Sequence, residues 1–202
     1  MSGHSHWSGI KHKKEITDKK RGNVFSKILK AITAAARTEP NPDFSPRLRT
    51  TIQKAKEANV PLDNIERAIK KASEPGAVIE ELLMESYGPG GSALLIEALT
   101  DSKNRTIAEV KKILSVHGAK WAEPGSVLWA FTQSADSRGL NADLRGQNHS
   151  VPLEESADSG GNWTAKFPQE LSREDAEKLS GLIEALEEHD DVQEVYTSAG
   201  RN

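Results

Sequence analysis

The strongest constraint on the fold is a break at Glu74-Pro75-Gly76, where the spacing of the apolar residues changes. Before the break, apolar residues recur every three or four positions, as in amphipathic helices. After it, they alternate or form the short runs typical of strands. Proline followed by glycine stops a helix, because proline lacks the amide hydrogen and glycine favours non-helical backbone. We therefore predict a helical region over residues 1–75 and a separate α+β region after it.

Three amphipathic helices are predicted before the break. The first spans residues 18–38, the second begins after Ser45 with Pro46 at its first position, and the third follows Pro61. The predicted apolar stripes are Phe25, Ile28, Leu29, Ile32 and Ala36 in the first helix, Leu48, Ile52 and Ala55 in the second, and Leu62, Ile65, Ile69 and Ala72 in the third. Each helix has one face to bury, which predicts a small three-helix bundle.

Charge is distributed unevenly along the chain. The 202 residues contain 27 Lys plus Arg and 30 Asp plus Glu, for a net charge of −3. Residues 1–75 hold 16 of the basic and 8 of the acidic residues, whereas residues 76–202 hold 11 and 22. Such asymmetry indicates contact of the basic half with nucleic acid or another anionic surface. The alternative is a solvated basic bundle that only offsets an acidic one.

The candidate nucleic-acid-binding residues are the cations of this basic half with one aromatic and one histidine. They are Trp7, Lys11, His12, Lys13, Lys14, Lys19, Lys20, Arg21, Lys27, Lys30, Arg37, Arg47, Arg49, Lys54, Lys56, Lys70 and Lys71. Residues 2–14 are too polar and glycine-rich to predict a helix, so we expect a flexible arm that contacts phosphates through its lysines and bases through Trp7. The alternative is a loose terminus with Trp7 folded back onto the bundle.

The α+β region is predicted to contain strands near residues 82–87, 93–100, 127–131, 163–167 and 192–196. Helices are predicted at 105–117 and after the cap Ser172. This order predicts a ferredoxin-like domain, with helices on an antiparallel sheet, over residues 76–131 plus 163–202. Residues 132–162 are rich in Ser, Gly, Asn and Asp and are predicted to form a flexible insertion.

Several classes of protein are disfavoured by the sequence. The chain has no cysteine, no apolar run near the ~20 residues of a membrane-spanning helix and no secretory signal, so we expect a cytoplasmic protein without membrane contact. The Gly-rich segment at residues 87–92 lacks the Gly-Lys-Ser or Gly-Lys-Thr of a phosphate-binding loop and predicts a tight hairpin. No nucleophile, base and orienting group can be assembled from the spacing, and His4, His6 and His12 have no thiol or acidic partner nearby. We predict no enzyme, no metal and no cofactor.

Five ordered blocks of the sequence resemble the YebC/PmpR family, which includes the mitochondrial translational activator of cytochrome oxidase subunit one. The blocks are residues 2–14, 18–37, 45–72, 87–106 and 174–197. The resemblance implies an N-terminal helical domain and two α+β domains, the third inserted within the second. It implies a cytoplasmic role in transcriptional regulation through DNA, with other members linked to ribosomes and translation.

The resemblance also implicates particular cations, which are Lys11, Lys13, Lys14, Lys20, Arg21, Lys27, Arg47, Arg49, Lys54, Lys56, Lys70 and Lys71. Two departures stand out. His6 replaces a common lysine of the family, which makes the charge of the arm partly pH-dependent. The region expected for the third domain, about residues 133–167, is short and polar, so we expect an insertion in its place.

The sequence therefore predicts a non-enzymatic regulator whose basic half binds nucleic-acid phosphates. Its acidic half is expected to serve as a scaffold that limits indiscriminate binding or contacts a protein partner. A DNA-binding transcriptional regulator is the first hypothesis. A ribosome- or RNA-associated translation factor and a protein-interaction module are the alternatives. The first two share every feature of the sequence, because lysine and arginine neutralise the phosphates of DNA and RNA alike.

Overall fold

The protein's structure, a computed structural model, describes the backbone of residues 5–74, 78–134 and 162–200, and the side chains of residues 21–74, 78–133 and 163–200. It confirms the α+β class with an N-terminal helical part. The helices are α1 (Ser5–Thr38), α2 (Pro46–Glu57), α3 (Leu62–Ala72), α4 (Lys103–Val116) and α5 (Arg173–Glu187). The strands are β1 (Glu80–Tyr87), β2 (Ala93–Thr100), β3 (Lys120–Ala122), β4 (Phe131–Ser134), β5 (Asn162–Ala165) and β6 (Val192–Thr197).

Helix α1 is longer than the sequence predicted. It runs for 34 residues from Ser5, so the prediction of a non-helical arm over residues 2–14 is wrong from Ser5 onward. Once a helix is nucleated, each added residue gains one backbone hydrogen bond, and Lys, Glu and Ile accept helical geometry at small cost. The ~1 kcal/mol penalty of Gly9 is not enough to end such a helix.

Helices α1, α2 and α3 pack into the predicted bundle. Ser45 caps α2, and its Oγ accepts a hydrogen bond from the Leu48 amide at 3.2 Å. The centre of the bundle is formed by buried Ile32, Leu48, Ala55, Ile65 and Ala68. Leu62, which the pattern placed inside, lies in the first turn of α3 and is 59% exposed, so that prediction is wrong.

The α+β part contains a four-stranded antiparallel sheet in the order β3-β1-β2-β6. Strands β1 and β2 form the predicted hairpin, in which Gly90 has a φ of 65°. This left-handed backbone conformation favours glycine, and a Cβ at Gly90 would also push on the Leu171 side chain, 2.8 Å away.

Two details of the sheet differ from the predicted strands. Strand β3 was not predicted, because three residues are too few to show an alternating pattern. The strand predicted at 127–131 is wrong for most of its length, since residues Leu128–Ala130 form a single 3-10 turn before β4 begins at Phe131. That turn forms because the Glu85 carboxylate accepts the amide hydrogens of Val127 and Leu128, which prevents those amides from joining a ladder.

Strands β4 and β5 form a second, two-stranded antiparallel sheet. The predicted insertion, residues 132–162, therefore begins inside β4 and ends inside β5. Its remaining residues, 135–161, lie outside the described part of the chain.

The four-stranded sheet separates two apolar layers. Leu94 and Ile96 of β2 point to the core shared with α4 and α5. Ala93 and Leu95, which alternate with them, point to a second core with Phe131 of β4. Among the described residues, no helix is long and apolar enough to traverse a bilayer.

Candidate nucleic-acid interface

Four predicted cations stand at the ends of two neighbouring helices. Lys54 and Lys56 lie in the last turn of α2, and Lys70 and Lys71 lie in the last turn of α3. All four are exposed, and the structure gives them no hydrogen-bond or ion-pair partner among the side chains it describes. Cations are stabilised at helix C-termini by the unpaired carbonyl groups there. Each of the two helix ends therefore holds two ammonium groups in contact with solvent, where phosphate oxygens can reach them.

The arginines of the bundle are more constrained than these lysines. Arg49 is exposed but braces the loop before α2, donating from Nε to the Pro42 carbonyl at 3.2 Å and from a terminal nitrogen to the Asp43 carbonyl at 3.0 Å. Arg47 forms an ion pair with Glu81 of β1 and so links the bundle to the sheet. Because a guanidinium has five N–H donors, the exposed Arg49 can still offer donors to a phosphate.

Two further predicted arginines lie on α1. Arg21 is exposed, and its guanidinium carbon lies 5.2 Å from the centre of the Phe25 ring. Arg37 is exposed in the last turn of the helix. These positions agree with a cationic surface on the bundle.

Lys27 and Lys30 have a different environment from the one predicted. Asn23, Lys27 and Lys30 donate to the carbonyl oxygens of Glu188, Glu187 and Asp190, at 3.0, 2.5 and 3.1 Å. Those carbonyls lie at and just beyond the C-terminal end of α5, where the helix carries its partial negative charge. This side of α1 is therefore docked on the acidic half instead of facing solvent.

Burial in this contact affects the titration of Lys27. Desolvation lowers the pKa of the Lys27 ammonium, and the nearby Glu187, Glu194 and Asp190 carboxylates partly offset that effect. The placement of Lys27 and Lys30 corrects the expectation that they belong to the open phosphate-binding face. The apolar pattern of α1 located them on its polar side, but that pattern contains no information about which partner covers a polar side.

Asp191 is the centre of the contact between the two halves. Its carboxylate is 2% exposed and forms ion pairs with Lys30 of α1 and with Arg105 of α4, the latter at 2.9 Å. It also accepts hydrogen bonds from Thr106 at 2.7 Å and Thr100 at 3.3 Å. Burial alone would raise the pKa of Asp191, but the hydrogen bonds from Lys30, Thr106 and Arg105 outweigh burial and hold it far below its usual range.

Beside Asp191, three acidic or imidazole groups come close together. Ligand-type atoms of Glu109, His189 and Asp191 lie within 4.8 Å of one another. His189 Nε2 bonds to Glu109 at 2.8 Å, while His189 Nδ1 accepts the Asp191 amide hydrogen at 3.1 Å. This pattern fits a neutral imidazole that carries its proton on Nε2. With Lys30 and Arg105 already on the Asp191 carboxylate, the group forms part of an ion-pair network.

The remaining candidates lie in the first four turns of α1. Trp7, Lys11, His12, Lys13, Lys14, Lys19 and Lys20 are on its helical backbone, and their side chains lie outside the described residues. His4 precedes the described backbone.

Sequence reasoning missed the partners that hold the two halves together. No role was assigned to Asp191, Arg105 or Thr106. Asp191 is 161 residues from Lys30 in the chain, and local spacing does not show such a contact. The only local signal was the run of acidic residues after α5, which is also typical of a solvated helix end.

These features define a two-part α+β protein whose basic helical half has an exposed group of lysines and is docked through other cations on an acidic half. Models of the TACO1/YebC protein N-terminal domain and of the TACO1/YebC second and third domain match residues 5–75 and residues 79–137 and 147–199. The chain belongs to the TACO1/YebC family.

Similar proteins support this assignment over nearly the whole chain. A probable transcriptional regulatory protein of Desulfatibacillum aliphaticivorans is 40% identical, covering 98% of this chain and 96% of its own length. Another of the same description, from Acidobacterium capsulatum, is 37% identical with the same coverage. The crystal structure of a conserved hypothetical protein from Aquifex aeolicus is 33% identical and matches with a TM-score of 0.74 over 90% of each chain.

Proposed function

We propose that this protein is a non-enzymatic, DNA-binding transcriptional regulator that holds the phosphate backbone through the basic helical half. The observation that carries the proposal is the group of exposed lysines Lys54, Lys56, Lys70 and Lys71 at the ends of α2 and α3. The description of its relatives as probable transcriptional regulatory proteins supports a regulatory role. The cations of the first four turns of α1 extend the same basic region along the chain.

Phosphate contacts supply affinity by releasing the counterions that surround DNA. Each phosphate neutralised contributes about 0.9 to the slope of log affinity against log salt concentration. Such contacts hold the protein on DNA without reading its sequence. Lys27 and Lys30 are excluded from this set because they are bound to the acidic half.

The test is the salt dependence of binding to a short DNA duplex, measured by fluorescence anisotropy for the full chain. The double variants Lys54→Ala with Lys56→Ala, and Lys70→Ala with Lys71→Ala, should each reduce the slope by up to about two. The matched control is Lys103→Ala with Lys112→Ala, which removes two exposed lysines of α4 and should leave the slope unchanged.

Two results would overturn the proposal. Equal slopes for wild type and both test variants would show that these lysines do not touch phosphates. Binding to purified ribosomes at ~150 mM salt, without any binding to duplex DNA under the same conditions, would assign the protein to translation instead.

A further inference from the structure

Three exposed aromatic side chains converge on one loop of the acidic half, at the opposite end of the sheet from the helical bundle. Trp129 and Phe167 are each 64% exposed, and Tyr87 is 41% exposed. The Trp129 and Phe167 rings lie 6.1 Å apart with an angle of 46° between their planes. We call Tyr87, Trp129 and Phe167 the aromatic platform.

Two residues of the platform, Tyr87 and Trp129, are held in place by hydrogen bonds to one carbonyl. Tyr87 donates from its hydroxyl to the Ser126 carbonyl at 3.1 Å, and Trp129 donates from Nε1 to the same oxygen at 2.8 Å. Both rings are therefore oriented by their polar ends while large parts of their faces stay in contact with water. Rigid aromatic groups lose little conformational entropy when a ligand binds them.

A buried carboxylate fixes the loop that carries Ser126 and Trp129. Glu85 is 5% exposed, and its two oxygens accept the amide hydrogens of Gly125 at 2.5 Å, Val127 at 2.6 Å and Leu128 at 3.0 Å. Burying a carboxylate is costly unless it is fully hydrogen-bonded, as it is here. A buried carboxylate therefore fixes the conformation of a loop whose outer side carries exposed aromatic rings.

Two lysines flank the platform. Lys120 is directly opposite Tyr87 in the β1–β3 pair, so the two side chains emerge on the same face of the sheet. Lys166 immediately precedes Phe167. Both lysines are exposed and have no ion-pair partner among the side chains that the structure describes.

The acidic residues of α5 do not face this surface. Glu85 and Tyr87 alternate along β1 with Met84, which belongs to the core beneath α4 and α5. The platform is therefore on the face of the sheet away from those helices. Exposed carboxylates near the platform along the chain are Glu123, in the same loop as Trp129, and Glu170, three residues after Phe167.

We propose that the aromatic platform binds single-stranded RNA, with unpaired bases stacking on Trp129, Phe167 and Tyr87 and with phosphates held by Lys120 and Lys166. Aromatic faces beside cations are the pattern that proteins use for unpaired bases, because every base has a π face. A DNA duplex conceals those faces in its stack, whereas RNA presents them in loops and single strands.

This site goes beyond the proposed duplex contact and is spatially separate from it. Arg47 of the bundle contacts Glu81 of β1, and Tyr87 is six positions further along the extended strand, roughly 20 Å away. Substitutions at the two sites should therefore have independent effects.

The first experiment measures binding of a labelled uridine 12-mer to the full chain by fluorescence anisotropy. Trp129→Ala and Phe167→Ala should each weaken binding about 5- to 100-fold, the range for loss of one stacked base. Trp129→Phe should restore most of the affinity. The matched control is Val116→Ala, which removes a 74% exposed apolar side chain from α4.

Two changes of charge at the same site are expected to change RNA binding in opposite directions. Lys120→Ala together with Lys166→Ala should reduce the salt slope for the 12-mer by about one to one and a half, and Glu123→Gln should strengthen binding. Cooperative thermal unfolding of each variant shows that the fold is retained. Unchanged affinity for the 12-mer in both Trp129→Ala and Phe167→Ala would overturn the inference.

The remaining outcomes separate other occupants of the platform. In cells, ultraviolet cross-linking should yield a nucleic-acid adduct that RNase removes and that both aromatic variants lose; an adduct removed only by DNase would overturn the RNA assignment. A dimer in solution that Trp129→Ala dissociates would assign the platform to a second copy of the chain. If substitutions in the aromatic platform do not change RNA binding while the protein still binds duplex DNA, this inference alone is overturned. If the protein binds no nucleic acid at all, the proposed function is overturned as well.

Discussion

Two sets of lysines in the basic half have the same charge but opposite surroundings. Lys27 and Lys30, on α1, are bound to the carbonyls and carboxylate at the end of α5. Lys54 and Lys70, at the ends of α2 and α3, are exposed to solvent. The difference shows that a count of cations overstates the surface available to a polyanion, because part of the positive charge holds the two halves of the molecule together.

The largest expected effect comes from removing the acceptor at the centre of the docked set. Asp191→Asn keeps the shape of the side chain but leaves Lys30 and Arg105 without their anionic partner. We expect the free energy of unfolding to fall by about 3 kcal/mol, measured by urea denaturation at pH 7. The control is Asp190→Asn, which changes an exposed neighbour and should alter stability by no more than about 0.5 kcal/mol. Equal stability of the two variants would contradict the central role of Asp191.

The docked contact should also be sensitive to acid. Because the pKa of Asp191 is depressed in the folded state, its ion pairs stabilise the protein above the ordinary aspartate pKa of ~3.9. That stabilisation is lost progressively as the pH falls below this value toward the folded-state pKa. The difference in unfolding free energy between wild type and Asp191→Asn should therefore shrink between pH 5 and pH 3, as followed by circular dichroism in urea.

Glu97 provides a control of opposite sign for the acid experiment. Burial raises the pKa of Glu97, against the effect of the hydrogen bonds from Trp163 and Tyr196. Its protonation on mild acidification should favour the folded state. Glu97→Gln should remove this stabilisation on mild acidification. The loss of unfolding free energy below pH 4, which comes from Asp191, should remain. If the difference in unfolding free energy between wild type and Asp191→Asn stays constant down to pH 3, Asp191 does not cause the acid sensitivity.

The smallest expected effects come from single lysines, and they should follow a crossed pattern. Lys30→Met removes a donor from the buried Asp191 and should cost about 1–2 kcal/mol of stability without changing the salt slope for duplex DNA. Lys54→Met should change stability by no more than about 0.5 kcal/mol but lower the slope by about one. Urea denaturation and anisotropy titrations check the two quantities. The same change of slope in both variants would remove the distinction between docked and exposed lysines.

Most of the helical bundle could be predicted because its determinants are local. Ser45 and Pro46 mark the start of α2, and the three-and-four spacing places Ile32 and Leu48 in the core. The prediction failed at the beginning of α1, where the composition indicated a loose arm but the helix extends to Ser5. Propagation of an existing helix depends on the preceding turns, which a residue-by-residue assessment of composition does not capture.

The sheet shows the same limit. Strands β1, β2 and β6 and their hairpin were visible as apolar runs around a Gly-rich turn. The short β3 and the 3-10 turn before β4 were not, because both depend on pairing with β1 and on the buried Glu85. The aromatic platform was missed for the same reason, since its residues are separated along the chain and meet only in the fold, where Tyr87 and Trp129 bond to the Ser126 carbonyl and Phe167 packs against Trp129.

The sequence by itself determined the order of the five helices and of strands β1, β2 and β6, the division of charge between the two halves and membership of the TACO1/YebC family. These properties follow from spacing and residue type within short segments. The tertiary structure alone decided which lysines are docked, that Asp191 joins the two halves and where the exposed rings gather. Those choices depend on contacts between residues as far as 165 positions apart, and local spacing carries no information about such partners.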